Sequence, residues 1–288
     1  MIGRRLMKTL AGDGHSLQVL SRHAGMNMPA GVKVFPWDPV KGEPPAESLR
    51  DADVVIHLAG EPVAQRWTDE AKRRIRESRV AGTHNLVQAL GKLERRPEAL
   101  VCASAVGYYG SRGDEVLVES SGPGEGYLVE VCKAWEDEAR AAEASGMRVV
   151  RVRTGVVLDM RGGALQRMLT PFRMGAGGRI GSGRQWMPWI HAQDLVDVFR
   201  FAAGKPVRGV LNGVAPAPVA NAEFTRTLAS ALHRPAIVPM PEFALRLMFG
   251  EMSGVLVASQ RVLPKETEAA GFQFRFPQLA AALADLLK

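Results

Sequence analysis

Residues 1–22, MIGRRLMKTLAGDGHSLQVLSR, decide the reading of the fold. Ile2, Leu6, Met7 and Leu10 recur at helical spacing, so the chain opens in a helix. Gly12-Asp13-Gly14-His15 ends that helix, and Gln18-Val19-Leu20 is a short strand closed by Ser21 and Arg22. Helix followed by strand is the second half of a βαβ unit. In the dinucleotide-binding form of that unit, a glycine loop before the helix lets a pyrophosphate approach backbone amides at the helix N-terminus. Gly3 is the one glycine of such a loop present here, and a lone glycine before a helix is more often a cap or a turn. The missing strand and loop would take about ten residues ahead of Met1. We therefore expect Met1 to be an internal methionine of a longer reading frame.

The end of the second strand carries more information. An acid about twenty residues after the glycine loop binds both ribose hydroxyls and selects NAD. This chain has Ser21 and Arg22 there, a hydroxyl and a guanidinium suited to a 2′-phosphate. On residue type alone, a solvated arginine after a strand is an equal reading.

Further along, Val32-Lys33-Val34-Phe35 is a third short strand, and Ala46 to Arg50 a brief helix. Asp53-Val54-Val55-Ile56-His57-Leu58-Ala59-Gly60 is nearly continuous in apolar residues and ends in small ones. That pattern fits a parallel strand buried on both faces, with its C-terminal end open to a ligand. Thr68 caps the following helix, with Asp69 and Glu70 complementing its dipole. On that helix Ile75, Arg79, Thr83, Leu86 and Leu90 share one face, which places Arg79 inside an inward stripe. An inward arginine needs a partner, either a phosphate or ribose or an acid elsewhere in the chain.

Leu100 to Ala105 is a strand ending in Ser104, and Tyr127 to Ala144 a helix with Leu128, Val131, Cys132, Trp135 and Ala139 inward. Cys132 is most simply a core residue. Val149 to Arg153 is another strand, continuing through Thr154-Gly155 into Val156-Val157-Leu158. Alternation of strands and helices to this point predicts an α/β fold with an open, doubly wound parallel sheet. Beyond Asp159 glycine and aromatic residues become dense, which predicts two units, 1–158 and a smaller mixed lobe 159–288. The GxG spacing at Gly175 to Gly181 follows a helical pattern, not a strand, and is a decoy for a phosphate loop.

Composition bounds the function. The chain has 288 residues, 46% hydrophobic and 23% charged, as in an ordinary globular protein. Its net charge of +7 does not point to nucleic acid, because the densest basic run, Lys72 to Arg76, is flanked by Glu70 and Glu77 on a helical face. Two cysteines, Cys102 and Cys132, make no disulfide framework, and no apolar run has membrane-spanning length. The expected location is the cytoplasm.

Taken together, HLAGEPV (57–63), ESRVAGTHNLV (77–87), SAVGYYGSRGDE (104–115), EVCKAWE (130–136), RTGVVLD (153–159), the run from GGRIGSGRQWMPWIHAQDL to NGVAPAPVANAEF and the tail SQRVLPKETEAAGFQFRFP resemble one family. It is the atypical, YfcH-like epimerase branch of the extended short-chain dehydrogenases/reductases, and the resemblance covers essentially the whole chain. The resemblance implies a Rossmann fold binding NADP. It makes Gly3 the last glycine of the phosphate loop and sets Ser21 and Arg22 on the 2′-phosphate. Leu58, Ala59 and Gly60 would flank the adenosine, and Val157 would lie near the nicotinamide. Arg79 falls where typical members carry asparagine.

Typical members also use a serine and a Tyr-x-x-x-Lys pair, in which the lysine lowers the pKa of the tyrosine acid/base. This chain has no Tyr-x-x-x-Lys. Ser104 is retained, but the lysine position is Cys132 and the tyrosine position is Leu128, with Tyr127 one residue early. Three functions follow. The favoured one is an NADP-dependent oxidoreductase or epimerase acting on a small or nucleotide-linked substrate, with Ser104 polarising an oxygen and Tyr127, Tyr108 or Cys132 moving the proton. The second is an NADPH-binding sensor without turnover. The third is a basic interaction protein with a vestigial site. A homodimer is left open.

Overall fold

The computed structural model describes residues 1–22, 28 and 31–288. Its strands, in chain order, are β1 (Gln18–Ser21), β2 (Lys33–Pro36), β3 (Val54–His57), β4 (Ala99–Ala105), β5 (Val116–Leu117), β6 (Arg148–Thr154), β7 (Val156–Asp159), β8 (Trp186–Met187), β9 (Trp189–His191), β10 (Gly209–Gly213), β11 (Val219–Ala220) and β12 (Arg261–Val262). The helices are α1 (Ile2–Gly12), α2 (Asp69–Gly91), α3 (Tyr127–Arg140), α4 (Gly163–Arg173), α5 (Ala192–Gly204), α6 (Asn221–Ala231), α7 (Glu242–Phe249), α8 (Ser253–Val257), α9 (Lys265–Ala269) and α10 (Leu279–Leu286).

Four strands form the central parallel sheet in the order β10-β6-β4-β3. Its middle strand β4 is buried along most of its length, because helices cover both faces. On one face α2 and α3 bring Leu86, Leu90, Trp135 and Ala139 against Leu100, Cys102 and Val149. On the other, α1 and α5 bring Leu6, Leu195, Val198 and Phe199 against Val101, Val150 and Val152. The doubly wound sheet expected from the alternation is thus present.

Strands β1 and β2 pair in parallel, Gln18 opposite Lys33, but form a separate two-stranded sheet. Between β1 and β3 lies a cleft of about 2030 Å³ rather than a ladder. Its walls are the inner faces of α1, β1 and β3, including Leu6, Leu10, Val19, Val55 and Leu58.

A second core gathers Leu158, Leu165, Phe172, Trp189, Phe224, Leu228, Leu279 and Leu283 around α4, α6 and α10. The boundary is not one cut after residue 158. α5 and β10 lie beyond it in sequence yet return to the first sheet, where β10 pairs with β6. The continuous strand expected over 149–158 is also interrupted. At Gly155 the chain leaves β6, and β7 pairs with β9 instead. A Cβ on Gly155 would lie 2.4 Å from the Pro188 carbonyl oxygen, so only glycine allows this close crossing.

Candidate active site

The cleft between β1 and β3 brings together four of the expected cofactor residues: Gly3, Ser21, Leu58 and Ala59. They come from three separate segments. Gly3 is in the first turn of α1, whose amides receive no side-chain cap. A Cβ on Gly3 would lie 3.8 Å from Leu58 Cδ1, so the two face one another. Uncapped amides at a helix N-terminus, together with the dipole, make a site for an anion. Arg22 follows β1 with its side chain exposed. Asp159 and Arg161 close the far side of the cleft. There Arg5 donates to both carboxylate oxygens of Asp159 at 2.7 and 2.8 Å, tying α1 to β7. Desolvation opposes the charge of buried Asp159, but these bonds hold its carboxyl below the ordinary range.

Gly60 and Arg79 form a second group with Tyr127 and Cys132. Thr68 caps α2 by accepting from the Ala71 amide at 3.1 Å, and Arg79 extends from the third turn of that helix. Its guanidinium donates to the Glu61 and Ile75 carbonyls at 3.0 and 3.1 Å and lies 5.1 Å from the Trp135 ring. A Cβ on Gly60 would come within 3.1 Å of Arg79 Cζ, so glycine makes room for it. No carboxylate pairs with Arg79 among the described residues. Burial pulls its pKa down, while the nearby Cys132, Tyr127 and Glu61 push it back up. The inward arginine inferred from helical spacing is real; its partners in the chain are carbonyls and an indole.

Tyr127 begins α3, stacks edge-on against Trp67 at 5.3 Å and donates its hydroxyl to the Lys72 carbonyl. Burial raises its pKa against the pull of Arg79 and Lys72. Cys132 is buried behind Gly107, with desolvation and Glu136 pushing its thiol up to about 12. A thiol so placed stays protonated at neutral pH and is a poor nucleophile. Ser104 Oγ donates to Glu136 Oε1 at 2.6 Å, below the sheet end. Val157 sits in β7 opposite Ile190. Thus the cleft gathers one set, Arg79 another, and Ser104 belongs to a third.

That third group is a buried polar network that the sequence reading did not identify. Arg153 on β6 is held by Glu136 on α3, and its Nη1 donates to the Tyr109 hydroxyl at 3.0 Å and the Glu119 carbonyl at 3.2 Å. Tyr109 in turn donates to Asn212 Oδ1 at 2.7 Å. Glu119 accepts from the Asn212 amide and from the Glu266 and Thr267 amides, tying β10 to α9. The available signal was Arg151 and Arg153 within an otherwise apolar buried strand, since charges there require partners.

These features, a parallel sheet flanked on both faces with Gly3, Ser21, Leu58 and Ala59 at element ends that meet, define a dinucleotide-type α/β protein. Residues 1–214 match the NAD dependent epimerase/dehydratase family, and the chain belongs to that family. Residues 240–286 match a domain of unknown function, DUF1731. The chain is 39% identical over 296 residues to the chloroplastic SDR39U1 homolog of Arabidopsis thaliana, an epimerase family protein, covering 100% of this chain and 84% of that one. Human epimerase family protein SDR39U1, isoform 2, in a crystal structure with NADPH, superposes with TM-score 0.89 at 36% identity, over 99% of this chain and 95% of that one. A nucleoside-diphosphate sugar epimerase from Corynebacterium glutamicum gives TM-score 0.80 at 36% identity, over 100% of this chain and 56% of its own.

Proposed function

We propose that this protein binds NADP(H) at the C-terminal ends of β1 and β3, against the first turn of α1, and uses it in hydride exchange with a small-molecule substrate. The reading is carried by Gly3 of α1, Ser21 at the end of β1, and Leu58 and Ala59 just after β3, which line one cleft from three segments. The uncapped first turn of α1 fits a pyrophosphate, and exposed Arg22 beside Ser21 fits a 2′-phosphate. The NADPH carried by the human relative supports the choice of cofactor. Bound there, the dinucleotide would supply the hydride, with Leu58, Ala59 and Gly60 flanking the adenosine and Val157 toward the nicotinamide. Arg79, a guanidinium without a carboxylate partner among the described residues, would meet an oxygen of substrate or cofactor. Ser104, Tyr127 and Cys132 remain the candidates for proton movement. Two buried free thiols fit a reducing cytoplasm, and no helix among the described residues is long and apolar enough to cross a membrane.

Titration with NADPH and NADH, followed by tryptophan-to-nicotinamide energy transfer, tests the reading. Preference for NADPH that disappears in Arg22→Ala is expected; no binding of either nucleotide overturns it. A second reading, binding without turnover, is favoured by the hydrogen-bond commitments of Ser104 and Tyr127 and the protonated thiol of Cys132. Oxidation of bound NADPH by members of a carbonyl and sugar-nucleotide panel would decide against it.

A further inference from the structure

Arg79 leaves half of its guanidinium unused. Its Nη1 donates to the Glu61 and Ile75 carbonyls, while Nε and Nη2 donate to no group among the described residues. Neither of those two nitrogens is sealed from solvent: the enclosed side-chain atoms without a partner belong to Trp135, Arg148, Arg151 and His191. Arg153 is the contrast. All three of its nitrogens are spent on Glu136, Tyr109 and the Glu119 carbonyl, so it has nothing left for a ligand. In Arg79 two carbonyls on Nη1 and the Trp135 ring behind the plane hold the free Nε–Nη2 edge in one orientation. Such an edge is a ready fork for two oxygens.

The place of the fork selects what it meets. Gly60 follows β3, and a Cβ there would lie 3.2 Å from Nη2. Trp135 faces the guanidinium from α3, and Cys132, one turn earlier on that helix, is close enough to act on its charge. Gly107, in the turn after β4, lies over Cys132, since a Cβ there would be 3.6 Å from Sγ. The fork therefore sits between the ends of β3 and β4, on the side of β3 away from β1. A dinucleotide with its 2′-phosphate at Ser21 and Arg22, after β1, reaches that point with its other half. The α3 face it would meet there has no cation. Lys133 pairs with Glu130 at 3.4 Å and is 43% exposed, and Cys132 stands where the family resemblance places a lysine.

We propose that Arg79 holds the nicotinamide ribose phosphate of NADP(H), with Nε and Nη2 donating to a pair of its oxygens, so that α2 supplies the cation that typical members carry on α3. This rests on the cofactor reading above and adds which half of the dinucleotide the residue meets.

Titration calorimetry of the full chain with NADPH and with 2′,5′-ADP, the adenosine-side fragment, tests it. In Arg79→Asn, affinity for NADPH should fall about tenfold, the value of one charge-assisted hydrogen bond, while affinity for 2′,5′-ADP stays unchanged. Arg22→Ala should weaken both ligands. Adding Cys132→Lys to Arg79→Asn returns a cation to the same point from α3 and should restore most of the lost NADPH affinity. A residue needed only for packing would not be rescued in this way. Circular dichroism checks the fold of each variant. Should the double variant not fold, Arg79→Lys, which keeps the charge without the fork, should fall between wild type and Arg79→Asn. Equal losses for NADPH and 2′,5′-ADP in Arg79→Asn, or unchanged NADPH affinity, overturn the proposal and leave the cofactor reading standing. A wild-type chain that binds neither ligand overturns the cofactor reading itself, and this assignment with it.

Discussion

Glu136 accepts from both ends of the Arg153 guanidinium, at 2.8 Å from Nε and 2.9 Å from Nη2, with each side chain only 4% exposed. The pair joins α3 to β6 and is the hub on which Ser104 and Tyr109 also hydrogen-bond. Desolvation opposes the charge on Arg153, but the Glu136 and Tyr109 contacts more than offset it and raise its pKa. A fork-on-carboxylate pair of this kind is geometrically specific and costly to break from one side.

Accordingly, Arg153→Met should destabilise the protein by about 3 kcal/mol, because it leaves the buried Glu136 carboxylate with only the Ser104 hydroxyl and, at 3.8 Å, Arg151. Glu136→Leu combined with Arg153→Met should cost less than the two single changes together. Urea unfolding of the three variants checks this, and a single variant within about 0.5 kcal/mol of wild type would refute it.

His57 should make stability depend on pH. It is fully enclosed, 3.1 Å from Thr83 Oγ1, and burial lowers its pKa from 6.5 to about 4. Between those values the unfolded chain takes up a proton that the folded chain does not. Stability therefore falls as pH drops from 6.5 toward 4, by about 3 kcal/mol in all, and this contribution is flat above 6.5. His191, also shifted downward by burial, adds in the same direction. His57→Gln should flatten the slope of unfolding free energy between pH 7 and 4.5; an unchanged slope would assign it elsewhere.

Gly155→Ala should disturb the pairing of β7 with β9. The new Cβ would fall 2.4 Å from the Pro188 oxygen and 2.8 Å from Val214 Cγ1. That carbonyl accepts from the Val156 amide at 2.6 Å, so relief of the clash breaks the first link between β7 and β9. A loss of about 1–3 kcal/mol is expected, as for an overpacked core position. Thermal unfolding measures it, and a variant as stable as wild type would show that the crossing has slack.

Arg79→Met should weaken NADPH binding by about tenfold, the value of one charge-assisted hydrogen bond. Gly60→Ala, which crowds the same guanidinium, should act in the same direction with a smaller effect. Fluorescence titration reports both. Unchanged affinity in Arg79→Met would make the residue a clamp on the loop after β3, through its bond to the Glu61 carbonyl.

Much of the fold could be read in advance because its signals are local. The apolar run 99–105, the Thr68 cap and the inward stripe of α2 depend on residues within a few positions of one another. The grouping of Gly3, Ser21, Leu58 and Ala59, the proposed cofactor residues, was legible for a related reason: each stands at the end of a strand or the start of a helix, and parallel α/β topology brings such ends together.

Side-chain patterning along the chain was enough to place the strands and helices of the parallel sheet up to residue 154 and to turn Arg79 inward. Only the tertiary structure decided which charges meet. Arg153 finds Glu136 across 17 residues, and Glu119 finds the Thr267 amide across 148. It also decided that α5 and β10 return to the first sheet, and that the chain leaves that sheet at Gly155. Periodicity sets which face of an element is buried, because burial follows from side-chain spacing along one chain segment. Partner choice among buried polar groups depends on distances between segments, and nothing in the local pattern encodes those.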